Sequence, residues 1–268
     1  MLNIIDVSEA NGTIKWELVK PQIDGAILRV GYRGYGWSGT LVFDKQFHNN
    51  AAMCRALDIP FGVYWLSQAT SNSEALAEAE YLHSHIRHYD LRLPVFLDSE
   101  WGEAATGSGR ADRLNKAART EYHLTLLGKL KEYGYDTGLY TGVYWFKDNL
   151  DGEAIRRAGN HIWLASVEHV KPTIAYDAWQ YSWKGRIDGI QTVVDKNYFR
   201  EELYKGVGKY YIDTEGHWAE DMIDAVTDLG LMTGMGDKKF APDEPMTRAQ
   251  MAAVLVRTVA RFGLKKVD

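Results

Sequence analysis

The segment "PVFLDSEW", residues 94–101, sets Asp98 and Glu100 two positions apart at the end of an apolar run. On a strand, residues i and i+2 point to the same face with Cα atoms ~6.6 Å apart. Such a pair can do acid–base work on a glycosidic bond. One carboxyl, protonated, donates to the leaving oxygen, and the other stays ionised to support positive charge on the sugar. Two carboxylates this close disfavour joint ionisation, which raises one pKa. The longer Glu100 is the expected acid and Asp98 its anionic partner. Alone, the pair could equally cap the next helix or meet an arginine. Two further acids strengthen the chemical reading. Asp6 ends the run "IIDVS", and Asp195 follows "IQTVV" in "VVDKNYF".

Aromatic residues accompany these acids. The chain has 9 Trp and 16 Tyr, an excess that fits a cleft where rings stack on sugars, since Tyr and Trp pair an apolar face with a polar handle. Tyr64, Tyr140 and Trp179 are the favoured platforms, with Tyr32 and Trp163 as further candidates.

These side chains need a scaffold that brings distant segments together. Eight short apolar runs read as strands: "LNIIDVS", "GAILRVGYR", "PFGVYWL", "LPVFLDSE", "TGLYTGV", "HIWLASV", "DAWQYS" and "IQTVV". Helical patterns fill the first five gaps, at about Trp16–Lys20, Phe43–Leu57, Ser73–Tyr89, Asp112–Tyr133 and Trp145–Ala158. Ala77, Tyr81 and Ile86 mark the expected inner face of the third. Leu114, Ala118, Tyr122, Leu126 and Leu130 mark that of the fourth. Alternating strands and helices predict a closed, parallel-type barrel with bare final strands. Catalytic groups at the C-terminal mouth would then include Asp6, Asp98, Glu100 and Asp195, because the first and eighth strands are neighbours in a closed cylinder. No Gly-rich dinucleotide fingerprint follows the first strand.

Composition narrows the function classes. The formal net charge is −5 and no dense Lys/Arg run occurs, so nucleic acid is not an expected partner. No apolar run approaches the ~20 residues that span a bilayer, and no membrane insertion is expected. Cys54 is the single cysteine, which excludes an intrachain disulfide and reads as a small buried side chain. His83, His85 and His88 lie at spacings that cannot put all three on one helix face, so they read as a solvated face; no metal or cofactor is expected. "GSG" at residues 107–109 reads as an exposed loop. The opening residues show no basic, apolar leader, so the expectation is a chain made without a signal peptide.

From about residue 204 the composition changes. "LYKGVGKYY" reads as a linker. Beyond it come helices at about His217–Leu229 and Thr247–Phe262, with a Gly-rich turn between them. Their expected apolar stripes are Trp218, Met222, Val226 and Leu229, and Met251, Leu255, Val259 and Phe262. Thr247 and Gln250 have capping-box spacing.

In order along the chain, "IIDVS", "FDKQFHNNAAMCRALDIPFGVYW", "PVFLDSEW", "GLYTGVYW", "IWLA" and "AWQYSWKGRIDGIQTVVDKNYF" resemble glycoside hydrolase family 25, the lysozymes or muramidases of phages, bacteria and some fungi. The resemblance covers about residues 1–203. It implies an α/β fold, an irregular (β/α)5(β)3 barrel, and cleavage of the β-1,4 bond between N-acetylmuramic acid and N-acetylglucosamine. It places the family's acid on Glu100 and its other mouth carboxylates on Asp6, Asp98 and Asp195. It leaves the stereochemical course open, including attack by the substrate's own N-acetyl carbonyl steadied by Asp98. Trp65 departs from the histidine that many members carry, a change that could alter substrate contacts. Family 18 chitinases need Asp two and five positions before Asp98, where this chain has Phe96 and Leu93.

The tail resembles a single S-layer homology repeat, a small all-α module, in "YYIDTEGHWAEDMI" and "LGLMTGMGDKKFAPDEPMTRAQMAAVL". That resemblance implies binding to secondary cell-wall polysaccharide, with Arg248 and Trp218 as the contact residues. An arginine in a first helical turn opposes the dipole and calls for an anionic partner; Asp243 or Glu244 would serve as well as a wall glycan. Such repeats usually occur in threes, so one copy predicts a homotrimer through the tail, with packing on the barrel as the alternative. The expected organisation is a catalytic barrel at 1–203, a linker at 204–210 and a wall-binding module at 211–268. The expected protein is a phage or prophage endolysin, made in the host cytoplasm and released to the wall by a holin. The alternative is an inactive, wall-anchored carbohydrate-binding or structural protein.

Overall fold

The computed structural model describes residues 1–102, 109–167, 170–205, 211–214, 216–236 and 239–262. The linker at 206–210, most of the "GSG" loop and the last residues of the tail module lie outside these. The chain divides into two compact units, Met1–Gly206 and Val207–Asp268.

The first unit is a closed barrel. Its strands are β1 (Leu2–Val7), β2 (Gly25–Arg33), β3 (Leu41–Phe43), β4 (Phe61–Leu66), β5 (Val95–Asp98), β6 (Thr137–Gly142), β7 (His161–Ala165), β8 (Ala178–Gly185) and β9 (Val194–Phe199). Eight of them follow one another around the cylinder, and β1 pairs with both β2 and β9 to close it. Short β3, absent from the sequence reading, is an antiparallel appendage on β2.

Two details correct the expected topology. The last strand begins at Val194 rather than ending there, so Asp195 lies within it. That strand also runs antiparallel to both neighbours, β1 and β8. The cause is local: β8 and β9 are joined by a short connection, too short for the crossover that a parallel pair needs. Because β9 runs the other way, its first residues reach the mouth where the parallel strands end.

Helices α1 (Trp16–Val19), α2 (Phe47–Ala56), α3 (Asn72–Ile86), α4 (Lys116–Glu132), α5 (Val143–Asp148) and α6 (Gly152–Arg157) fill the first five strand connections. The fifth expected helix is thus two, split at Asn149–Asp151, where Asp151 caps α6 by accepting from the Ala154 N–H. On α3 the inner face is Ala75, Ala79, Leu82 and Ile86, with Glu78 fully buried, while Ala77 is exposed. Glu78 is tolerated because Arg33 Nε and Trp65 Nε1 both donate to it, at 2.6 and 3.0 Å. On α4 the buried residues are Arg119, Thr120, His123, Leu126, Leu127 and Leu130, so the expected stripe holds only at Leu126 and Leu130.

Strand alternation divides the apolar residues into two cores. Ile5, Val7, Leu28, Val63, Trp65, Val95, Leu97, Leu139 and Leu164 face outward under the helices. Ile4, Ile27, Phe96, Trp163, Ala178 and Phe199 face inward and fill the barrel floor. Gly138 makes room there: a Cβ would fall 2.4 Å from the Phe96 ring.

In the second unit, α7 (Glu220–Asp228) and α8 (Arg248–Phe262) flank a turn-rich segment. Asp213 ties that segment together by accepting from Phe240 N–H and Ala241 N–H, at 2.9 and 2.8 Å. The Thr247–Gln250 capping box forms, each side chain accepting from the other's backbone N–H at 2.7 and 3.2 Å. Most of the expected apolar stripes are nevertheless exposed. Among the described side chains, Ile223 is the buried one of α7 and none of α8 is buried.

Candidate functional site

The site is the next layer up from the barrel floor. Two residues beyond four of the inward floor residues stands a polar one: Asp6 after Ile4, Arg29 after Ile27, Asp98 after Phe96, Gln180 after Ala178. On β9, which runs downward, Asp195 and Asn197 precede Phe199. Tyr64 of β4 and Tyr140 of β6 complete this layer against the floor. Alternation and closure alone therefore bring the acids of three strands and their partners to one mouth.

Asp6 and Asp195 lie opposite one another across the β1–β9 pair and share a side-chain hydrogen bond. Asn197 and Gln180 each donate an amide N–H to Asp6 Oδ2, at 2.9 and 3.2 Å. Asn197 is itself fixed by the Trp163 indole N–H at 3.0 Å, and Gln180 by the Tyr140 hydroxyl at 2.8 Å. Burial pushes the Asp6 carboxyl up to about 6, against the pull of these donors. Burial, and then the charge of Asp6, pushes Asp195 up to about 8.

Asp98 ends β5, and Glu100 stands just beyond the strand rather than on it. Asp98 is 3% exposed, and its Oδ1 has no hydrogen-bond partner among the described residues. Burial, then the charges of Glu100 and Asp6, raise its pKa well above the usual carboxylate range, while Arg29 pulls the other way. Glu100 keeps an exposed surface, as a group that must meet substrate requires, but the protein packed around it pushes its carboxyl up to about 7, with Asp6 adding to the effect. The four acids titrate as one coupled set. Near neutrality the cleft holds protons, and Asp98 is not singled out as the ionised member.

Between the two acids, Ser99 faces outward and is clamped. Its hydroxyl lies 2.7 Å from His123 Nε2 of α4 and 3.0 Å from Trp145 Nε1 of α5. Its carbonyl accepts from Thr141 at 2.7 Å, and its N–H donates to the Tyr140 carbonyl at 3.0 Å. His123 is buried and its pKa is pushed down to about 3, so it serves here as a neutral ring.

The sequence-predicted aromatics separate into groups. Tyr64 and Tyr140 join the acids; burial, and then the carboxylate charges, raise both hydroxyl pKa values. Trp163 does not: it is 1% exposed, packed edge-on against Phe96 and Phe199 in the floor. Trp179 alternates with Gln180 and so faces out of the barrel, packed with Tyr176, Tyr181 and Tyr198. Tyr32 stacks on Tyr35 beside the cleft. Trp65 is fully buried against Glu78 under the helices, so it makes no contact in the mouth.

Arg29, Tyr35, Gln180, Asn197 and Trp101 were not read from the sequence. Arg29 is held by buried Asp44 at 2.8 Å and by Glu9 at 3.4 Å. Trp101 is 45% exposed directly after Glu100, edge-on to Trp145. Asn197 and Gln180 follow from the same two-residue rule that found Glu100 once β8 and β9 are correctly placed.

Among the described residues no group of three His, Cys, Asp or Glu is arranged to hold a metal ion. His83 and His85 are part-buried packing residues rather than a solvated face. His83 stacks on Tyr133 at 4.0 Å, and His85 packs on Phe43 at 4.5 Å. Cys54 is buried in α2.

In the second unit, Trp218 is 78% exposed and Arg248 is exposed at the start of α8. No contact joins the two among the described residues. Asp243 lies 3.3 Å from His217, and among the described residues no ion pair links Arg248 to Asp243 or Glu244. A groove of about 620 Å3 runs between α8 and the preceding turn, lined by Met232, Met235, Phe240, Met246 and Arg257 among others.

Comparisons with known proteins agree with this fold. The sequence signature "Glycosyl hydrolases family 25" matches residues 5–190, and "S-layer homology domain" matches residues 211–252. No curated protein matches the chain. Among solved structures, the modular autolysin LytC of Streptococcus pneumoniae is 27% identical with a TM-score of 0.63, over 73% of this chain and 46% of that one. This chain thus spans just under half the length of that relative. A lysozyme from Streptomyces coelicolor is 24% identical with a TM-score of 0.60, over 75% and 94% of the two chains. The catalytic domain of an endolysin from Listeria monocytogenes bacteriophage P40 is 21% identical with a TM-score of 0.59, over 76% and 95%.

Proposed function

We propose that this chain, which belongs to glycosyl hydrolase family 25, is a peptidoglycan-cleaving muramidase whose tail module holds it on the wall. The observation that carries the reading is the convergence of Asp6, Asp98, Glu100 and Asp195 on one polar layer. Glu100, exposed and held near pH 7, donates its proton to the glycosidic oxygen as the C1–O bond breaks. As a carboxylate it then takes a proton from the attacking water. Asp98 supports the same step. Its unpartnered, buried Oδ1 is an acceptor awaiting a donor, and the N–H of the substrate's N-acetyl group supplies one. Asp98 would so orient that group's carbonyl oxygen toward C1, the course in which the substrate provides its own nucleophile. Arg29 and the Asn197–Asp6–Gln180 array fix the charges around it. Tyr64 and Tyr140 frame the bound sugar.

The test is mass spectrometry of the fragments released from purified walls. New reducing ends on muramic acid are expected. Reducing ends on glucosamine would replace this assignment with a glucosaminidase. No clearing of a wall suspension by the wild-type chain would favour an inactive wall-binding protein instead.

Two finer readings go with this one. The tail takes secondary wall polysaccharide through Arg248 and Trp218, and three tails associate to cover their apolar faces; co-sedimentation of R248A with walls and light scattering of the wild type test these. A monomer at micromolar concentration would remove the trimer. The chain acts as a phage or prophage endolysin, a reading supported by fold likeness to the P40 enzyme. Expressed inside a host, it should lyse the cell only when a membrane pore is supplied in trans.

A further inference from the structure

Beside the acidic layer lies a second, smaller pocket of about 210 Å3, lined by Tyr35, Gly36, Trp37, Gly109, Arg110 and Arg113. It adjoins the catalytic segment. A Cβ on Gly102, two residues beyond Glu100, would stand 2.9 Å from the Tyr35 ring, so that backbone lies directly against the tyrosine. Tyr35 continues a stack from Tyr32, with ring centroids 5.6 Å apart and planes at 21°. Asp98 and Glu100 also act electrostatically on the Tyr35 hydroxyl.

Three features of this pocket are unexplained by folding. Trp37, at the tip of the β2–β3 connection, is 97% exposed, although burying such a ring is strongly favourable. Arg113 is exposed and has no carboxylate partner among the described residues. Arg110 is bound to both oxygens of Glu74, at 2.8 and 2.9 Å, yet its buried Nε has no acceptor. Among the described residues, the pocket therefore presents a cation without a carboxylate partner and a donor without an acceptor under an aromatic rim, in a chain of net charge −5 and beside four acids.

Its volume falls below the ~300–1,000 Å3 of a complete small-molecule site. It suits one residue of a polymer whose reacting part lies next door. In peptidoglycan the sugars between bonds are N-acetylated, and the lactyl carboxyl of muramic acid is amide-linked, so negative charge sits on the peptide stems. We propose that this pocket is a subsite for a peptide-stem carboxylate, paired with Arg113 and covered by Trp37. The assignment rests on the muramidase reading and adds a preference for peptide-bearing over bare glycan.

The experiment compares kcat/KM on soluble glycan strands carrying their stems with the same strands stripped by an N-acetylmuramoyl-L-alanine amidase, the lactyl carboxyls so freed then being capped as methylamides. Arg113→Gln should lose about 3- to 10-fold on the peptide-bearing strands, the scale of one partly exposed arginine–carboxylate pair. It should match wild type on the stripped strands. Trp37→Ala should fall in the same direction on the same substrate, and both positions are exposed enough to leave folding intact. Equal losses on both substrates, or none on either, would overturn the subsite while leaving the muramidase standing. A wild type that cleaves neither substrate would remove the muramidase reading and the subsite with it.

Discussion

The barrel and the tail dispose of their side chains in opposite ways. In the barrel, large apolar residues are buried in two cores, and the polar groups that enter the interior are nearly all paired, as with Glu78 to Arg33 and Trp65, or Asn197 to Trp163 and Asp6. In the tail, the apolar residues of α8 remain outside: Met251 is 49% exposed, Leu255 57%, Val256 68%, Val259 49% and Phe262 54%. Both units obey the same local rules, since the capping box at Thr247 forms as well as any cap in the barrel. The difference is closure. A barrel of eight strands meets itself, whereas two helices and a turn bury too little apolar area to stand alone. A finished interior can hold unfavourable acids in place; an unfinished one leaves its apolar faces in solvent.

Four substitutions test that contrast. The largest effect belongs to Glu100→Gln, which should reduce wall clearing by about 10²–10⁴-fold, the usual worth of a general acid. Circular dichroism should be unchanged, and retained clearing would remove Glu100 as the acid. Next is Ser99→Ala. It leaves the Trp145 indole N–H without its acceptor and His123 Nε2 without its partner in a buried site, which costs ~1–3 kcal/mol of stability. Asp98 and Glu100 should loosen with it, lowering kcat by about tenfold with little change in KM. A kcat at the wild-type level would show that the clamp serves stability alone.

The third change moves to the tail. Leu255→Glu should abolish self-association measured by light scattering while leaving kcat/KM on soluble glycan within about twofold, because surface changes away from a site have small effects. Loss of catalysis would break the separation of the two units.

The smallest effect concerns pH. Folding raises the Asp195 pKa from its ordinary 3.8 to about 8, so the fold favours the protonated form. That stability is complete below pH ~4 and is lost as pH rises through about 8. Asp195→Asn should therefore raise the melting temperature at pH 8.5 by roughly 2–4 °C, equivalent to about 1 kcal/mol. The gap should close by pH 4. A gap independent of pH would show that Asp195 carries no such strain. For wild-type activity, loss of the Glu100 proton, held near 7, sets the alkaline limb.

Much of this site was legible in the residues. Asp6, Asp98 and Asp195 each sit at the end or start of an apolar run, and period-two alternation with barrel closure suffices to bring them together. The limits had equally local causes. Placing the last strand at 190–194 hid the antiparallel return of β9, and with it Asn197. Trp163 and Trp179 carry the same residue type at similar strand positions, but alternation sends one into the floor and the other outside. The α3 stripe was misread because Glu78 counts as polar in any periodicity, although a buried arginine makes it an interior residue. Arg29, an inward cation on a mostly apolar strand, is legible only once Asp44 and Glu9 are seen to hold it.

The β1–β9 seam sets the order in which this molecule becomes whole during synthesis. Asn197 reaches back across 191 residues to Asp6. Nascent chains that stop short of Val194 leave the cylinder gaping between β1 and β8. They lack Asp195 and the amide that steadies Asp6, so the acidic layer is complete only once translation has passed this strand.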